Sequence, residues 1–521
     1  MIFPTLDFLL FFLVVWPLAW ALAKAPTAWA AAALVGAFTA GLLAMAGRPV
    51  PMLAILLAGT AATGWAFLRG QRHLAHKLAI IAASYCFYAF WNWRLAGLLL
   101  TSVVLNWLTG RLIDGARGTV WAARWCALGV VINLSVLGFF KYYDFFLQSL
   151  AAALTTIGIE RDMPWLEIVL PIGISFFTFQ GISYVVDLKR GDLDRSRPLV
   201  DVMFFISFFP HLVAGPIVRA ARFLPQLETP PDPRRTFIGL GLLLILWGVV
   251  KKAIIANVLA TRLVDKVFFD PTVLGTIDVL AGVYGYAVQI YCDFSAYSDI
   301  AIGIAALLGY RFQRNFDQPY RATSLRDFWH RWHMSLSQWL RDYLYRPLGG
   351  NRGGRWQTYR NLLLTMILGG LWHGAAWRFL LWGALHGIGL AIERLWHDWR
   401  SAQGKAPAAS TLPLRIVTTI VTFHVVCLGW ILFRSESVTR AGEVIEALGR
   451  WQQVELLNAG LALLIVIGMA INFTPPDLLQ RLHRLYVRWP VWASGVAAAS
   501  VLLVVEALAG DGTAPFIYFQ F

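Results

Sequence analysis

The chain has 521 residues, of which 58% are hydrophobic and only 14% charged, and its formal net charge is +15. A soluble domain carries about 25% charged residues, so composition excludes an ordinary soluble enzyme. Lys and Arg fall mostly in short connections between apolar runs, where cytoplasmic retention of basic residues and attraction to anionic lipid account for them. Membrane lipid is therefore an expected partner and nucleic acid is not.

Apolar runs long enough to cross a bilayer as helices begin at once, at residues 6–22, 28–46 and 52–68, and recur at 239–250 with its flanks, 416–433 and 489–508. A span needs about 20 such residues, and the whole chain reads as roughly a dozen spans, some of them short enough to be re-entrant. The prediction is an all-α, polytopic integral membrane protein. Residues 1–7 contain no Lys or Arg, so the first run lacks the basic flank of a secretory signal and reads as a retained span. Cys86, Cys126, Cys292 and Cys427 sit singly in apolar or aromatic runs, which suggests neither a disulfide framework nor a zinc site. The polar connections 188–197, 228–235, 400–412, 434–443 and 481–488 are short, and no internal repeat is visible. A single membrane domain over 1–521 is the simplest organisation.

Polar residues inside apolar runs are costly and mark functional candidates. The first is 209–216, where His211 lies between Pro210 and Pro216 at a predicted helix break. The second is the island 291–299, where Asp293 with Tyr297, and Ser295 with Asp299, form i, i+4 pairs on a helix. It reads either as the polar wall of a substrate passage or as a hydrogen-bond network between helices.

Residues 311–360 break the apolar pattern, with ten Arg against the acids Asp317, Asp327 and Asp342. Within them 325–345 predicts one aromatic-rich helix, with Phe328, Trp332, Leu336, Trp339 and Tyr343 at helical spacing. Such a helix lies in the membrane interface or dips part-way in. His330 and His333 stand three apart on it, but no carboxylate or Cys completes a ligand set, so no metal is expected. The loop 349–354, with Asn351 and Arg352 among four glycines, lacks the Lys-Ser/Thr of a phosphate-binding loop.

The strongest single candidate is His373, which sits in the apolar run 362–376 beside Gly369, Gly370 and Gly374. The glycines permit close approach of backbone or ligand. A low-dielectric surrounding disfavours a charged imidazole, and a neutral one is what a general base needs. The bland alternative is a histidine bonded to a neighbouring helix. His386 follows thirteen residues later, which on one continuous helix is a different face. His424, alone in an apolar span, reads as structural. His73, His76, His397 and His483 fall in polar connections.

Taken in order, these motifs resemble the membrane-bound O-acyltransferase (MBOAT) family, in its bacterial alginate O-acetyltransferase-like branch. The matching pieces are the runs 8–13, 171–176, 210–216, 293–299 and 328–337, then the densest at 341–345, 349–353 and 369–374, and the closing 516–521. The likeness extends from about residue 77 to the end. The chain departs from it at 25–72, which add about two predicted spans where relatives have a short loop.

The resemblance implies many helices around a funnel-like core, with His373 as the essential histidine and His333 as the second polar site. It implies transfer of an acetyl group from cytoplasmic acetyl-CoA, with no permanently bound cofactor, in the bacterial inner (plasma) membrane. The acetyl group would pass to an extracytoplasmic SGNH-type esterase-like partner protein and from it to a polysaccharide acceptor. In that reading Asp293, Ser295, Tyr297 and Asp299 line the substrate path. Arg331 and Arg341, within the basic segment, offer donors to the nucleotide phosphates. His333, Asn361 and the Trp372 indole N–H are the candidates to orient the base or polarise the carbonyl. The alternatives are a cell-wall or lipid O-acyltransferase of the same family and, from another class, a secondary transporter or flippase, which predicts repeat symmetry and ion-coupling carboxylates.

Overall fold

The structure is a computed structural model that describes residues 5–159, 164, 166, 168–232, 238–404, 411–475, 477–486 and 488–509. The closing 516–521 run lies outside the described residues. The described residues are mostly helical, with no strand among them. Eight described helices are long and apolar enough to cross a membrane, against an expectation of about a dozen. The difference has physical sources. Arg72–Gly115 is one run of 44 residues broken at Asn92, and the helices Arg355–His373 and Trp377–Ala402 are much more polar than the qualifying spans. Leu10, Leu13, Ile420 and Val421 on qualifying spans are more than half exposed, the surface that hydrocarbon can cover.

The chain packs as two units, Met1–Leu242 with Ile300–Gln313, and Leu243–Asp299 with Arg314–Phe521. In the first, Leu6–Lys24 is started by Thr5, whose side chain accepts from the Phe8 amide at 3.2 Å. Its end is held by Arg72, which donates to the carbonyls of Ala21, Leu22 and Ala25, so a cation meets the negative end of the helix. Residues 25–72 hold two 19-residue helices, Thr27–Met45 and Val50–Leu68. The break at Asn92 (φ −155°, ψ 107°) is stabilised by its own side chain, which accepts from the Arg94 amide at 3.0 Å.

Polar side chains join the apolar helices of this unit. Asn106 and Asn133 exchange amide hydrogen bonds of 3.2 and 2.9 Å, and Lys77 pairs with Asp201 at 2.6 Å. His76 is no loop residue. It is buried on the helix Arg72–Gly115, with its Nδ1 2.9 Å from the Ala19 carbonyl and its Nε2 3.2 Å from the Tyr310 hydroxyl. His211 is likewise enclosed, 2.8 Å from the Phe205 carbonyl and stacked on Phe312. Outside the spanning helices, burial pushes its imidazole down to about 4. The His-Pro motif thus serves a packed aromatic cluster.

The second unit contains the 276–299 part of helix Thr276–Leu307, preceded by the π-helical turns Lys251–Ala256 and Ala260–Val264. It also contains the short helices Leu325–Arg331 and Met334–Leu340, the hairpin Arg355–His373 with Trp377–Ala402, and the span Leu412–Arg434.

Candidate active site

His373 is the last residue of helix Arg355–His373, where Gly374 turns the chain into Trp377–Ala402. Glycine seams let the two helices meet backbone to backbone. A Cβ on Gly370 would stand 2.1 Å from the Phe379 carbonyl oxygen, and one on Gly383 2.3 Å from that of Met366. Gly374 gives way in the same manner to the Phe379 ring, 2.1 Å from where a Cβ would lie. The turn therefore folds aromatics over the histidine. Trp372, Trp382 and Phe433 stand around the His373 imidazole with ring centroids at 5.0, 5.1 and 5.2 Å, and His373 is only 4% exposed. Such walls shield the imidazole from solvent.

Residues 325–345 do not form the single helix that their periodicity predicts. They break at His333, which takes a left-handed conformation (φ 41°, ψ 54°) between Leu325–Arg331 and Met334–Leu340. That conformation is strained for a residue with a Cβ, and the stretch 315–317 supports it. The Met334 amide donates to the Asn315 carbonyl at 2.8 Å, and the Asp317 amide donates to the Arg331 carbonyl at 2.9 Å. The Ser335 amide and hydroxyl both donate to the Asn315 side-chain oxygen, at 3.2 and 2.8 Å. The break turns His333 fully inward while His330 stays at the surface on the Arg326 carbonyl. The i, i+3 pair is thereby split. The His333 ring lies 4.6 Å from Phe294 and 6.1 Å from Trp372, so Trp372 touches both His333 and His373. His333 lies outside the spanning helices, and burial pushes its imidazole down to about 3, so it is held neutral.

The polar island on Thr276–Leu307 finds partners the local i, i+4 reading did not anticipate. Lys251 donates to the Ser295 hydroxyl and to the Asp299 carboxylate, each at 2.7 Å. Lys252 pairs with Asp293 at 2.8 Å, both nearly buried. Tyr297 is buried on the same helix. Buried carboxylates need such partners. The two lysines were missed because a Lys-Lys pair after an apolar run also reads as a basic flank. The π-helical turn they open is a frequent mark of functional positions.

Asn361 is fully buried, but its amide donates to the carbonyls of Leu348 and Gly350, each at 3.1 Å. It latches the loop in which Gly349 and Gly350 have positive φ. It also lies twelve residues before His373 on one helix, about 18 Å away along the axis. The expectation that Asn361 orients the base is therefore replaced by a structural role. Arg331 bonds Asp327 at 2.8 Å, and Arg341 grips Asp342 through two bonds of 2.8 and 3.0 Å. Both guanidiniums already hold an acid, whereas Arg352 and Arg355 are exposed with no acid partner among the described residues. His386, brought back by the hairpin, is fully buried, and its Nδ1 accepts from the Trp329 indole N–H at 3.3 Å. His424 meets the Tyr284 hydroxyl at 2.8 Å.

Comparison with known proteins places this geometry in context. The family model described as MBOAT, membrane-bound O-acyltransferase family, matches residues 85–433. The chain is 42% identical over 421 residues to the probable alginate O-acetylase AlgI of Pseudomonas syringae, covering 79% of this chain and 77% of that protein. It is 45% identical over 406 residues to the protein of the same name from Pseudomonas aeruginosa, covering 76% and 74%. To the peptidoglycan O-acetyltransferase of Helicobacter pylori it is 36% identical over 399 residues, covering 71% and 73%. The matched region contains His333, His373 and the lysine–aspartate pairs.

Proposed function

We propose that this chain, which belongs to the membrane-bound O-acyltransferase family and is a multi-pass membrane acyltransferase, takes acetyl from cytoplasmic acetyl-CoA and passes it across the bacterial inner membrane for O-acetylation of an extracytoplasmic polysaccharide. An alginate-like exopolysaccharide is the favoured acceptor, supported by relatives called alginate O-acetylases at 39–45% identity. The observation that carries the chemistry is the buried, aromatic-walled His373 at the turn of the glycine-seamed hairpin.

In this reading the nucleotide end of acetyl-CoA stays at the cytoplasmic face, where exposed Arg352 and Arg355 offer donors to its phosphates. The pantetheine arm brings the thioester inward. Neutral His373 takes the proton from an incoming hydroxyl as its oxygen bonds to the thioester carbonyl carbon. The C–S bond then breaks, and the proton goes to the departing thiolate. A general base contributes about 10²–10⁴-fold, with positioning and charge stabilisation supplying the rest. The incoming hydroxyl is that of an SGNH-type partner outside, which carries the acetyl as an ester until a polysaccharide hydroxyl attacks that ester and the partner's oxygen takes back a proton. A cell-wall acceptor is the second reading, favoured by the Helicobacter pylori relative, a peptidoglycan O-acetyltransferase.

The test is transfer from radiolabelled acetyl-CoA by purified protein in nanodiscs, with its candidate partner present. His373→Ala is expected to abolish transfer while the protein stays folded. Undiminished transfer by a well-folded His373→Ala protein would sink the proposal.

A further inference from the structure

We propose, resting on the reading of His373 and its surroundings as the acyl-transfer site, that Asn315 is a positioning residue that holds His333 in its Nδ1–H tautomer, so that Nε2 accepts a hydrogen bond from an N–H or O–H donor of the substrate.

Asn315 is 1% exposed; its backbone carbonyl accepts from the Met334 amide, and its side-chain oxygen faces His333 Nδ1. The orientation of its amide is fixed by the Ser335 backbone N–H, 3.2 Å away, which can only donate. The atom facing that N–H is therefore Oδ1, and Nδ2 on the other side donates to the Ser298 hydroxyl at 3.0 Å. The single Ser335 hydroxyl hydrogen also goes to Oδ1, over 2.8 Å. His333 Nδ1 then lies 3.2 Å from Oδ1 and 3.4 Å from the Ser335 oxygen. Both atoms present lone pairs to it, so Nδ1 must carry the hydrogen. The opposite tautomer would set a nitrogen lone pair against Oδ1.

A neutral imidazole protonated at Nδ1 has its lone pair on Nε2. That nitrogen is buried, and no described residue bonds it. A buried acceptor left over in an otherwise satisfied network calls for a partner, and the ring it belongs to stands beside the Trp372 that also touches His373. A substrate amide N–H or hydroxyl supplies the missing hydrogen. The amide source is the pantetheine arm, and the hydroxyl source is the attacking acceptor.

The experiment uses the full chain in nanodiscs with ¹⁵N-ring-labelled histidine, read by solid-state NMR, with the His333 signals assigned by their loss in His333→Gln. The expected spectrum has a protonated Nδ1 and an unprotonated Nε2 at His333, mixed tautomers in Asn315→Leu, and a protonated Nδ1 again in Asn315→Asp. Acetyl transfer is expected to fall about 100-fold in Asn315→Leu, to recover in Asn315→Asp, and to lose nothing more when Asn315→Leu is added to His333→Gln. A raised KM for acetyl-CoA assigns the donor to the pantetheine amide, and a lowered kcat at unchanged KM assigns it to the hydroxyl. A hydrogen on Nε2 in the unsubstituted protein, or additive losses in the double variant, would overturn the inference. If Asn315→Leu does not fold, the spectrum of the unsubstituted protein decides alone. That spectrum is independent of turnover, so transfer that ignores His373 would remove the functional reading without touching it. His373-dependent transfer with the wrong tautomer would remove only the role of Asn315.

Discussion

His373 packs edge-on against Trp382, with ring centroids 5.1 Å apart and ring planes at 86°. The same indole meets His386 at 4.9 Å. One tryptophan of the returning helix therefore touches both histidines, although thirteen residues separate them in the chain. This holds only while the two helices of the hairpin stay at backbone contact.

Gly383→Ala tests that condition. Its added methyl would lie 2.3 Å from the Met366 carbonyl oxygen and 2.8 Å from the Ile367 Cα, backbone atoms that cannot rotate away. Overpacking costs about 1–3 kcal/mol, occasionally more. The variant should melt at lower temperature in detergent and lose transfer per folded molecule, because Trp382 moves from His373. Gly442→Ala, where a Cβ meets nothing within 4 Å, serves as the control and should change neither.

The Lys252–Asp293 pair predicts an asymmetry. Removing one member of a buried ion pair leaves an uncompensated charge and costs about 3–5 kcal/mol, whereas replacing both by apolar residues is often neutral. Lys252→Met and Asp293→Leu should each destabilise strongly, and the double variant should regain most of the loss. Thermal unfolding of the three proteins decides it, and additive losses in the double variant would refute the pairing.

Neutral His333 predicts acid sensitivity. Its imidazole is depressed by burial to about 3, while an unfolded chain titrates near about 6.5. Below that value the unfolded state binds a proton that the folded state refuses. The stability held above about pH 6.5 therefore falls progressively as pH drops toward about 3. His333→Gln should show a shallower loss of melting temperature than the unsubstituted protein between about pH 7 and about pH 5. Parallel curves would mean that another group governs the acid response.

Asn361 separates latch from catalyst. Asn361→Ala leaves the Leu348 and Gly350 carbonyls without their shared donor, a loss of about 1–3 kcal/mol for buried groups. Stability should fall while turnover per folded molecule is kept. A folded Asn361→Ala protein without activity would return Asn361 to the chemistry.

The apolar runs of span length, the scarcity of charge and the isolated His373 among glycines were legible in the sequence, because hydropathy and residue type are local properties and the bilayer demands them of each segment. The family was legible for a similar reason, since its motifs are short and contiguous. Tertiary structure alone decided which charges are neutralised. Lys251 and Lys252 reach acids more than forty residues away, where no periodicity reports on them. It alone broke 325–345 at His333, because a left-handed residue with a Cβ is tolerated only when a distant segment, here Asn315, satisfies the backbone around it. It also reassigned Asn361 and returned His386 to the tryptophan beside His373. Each of these depends on a partner far along the chain, and a local pattern holds no information about where such a partner will lie.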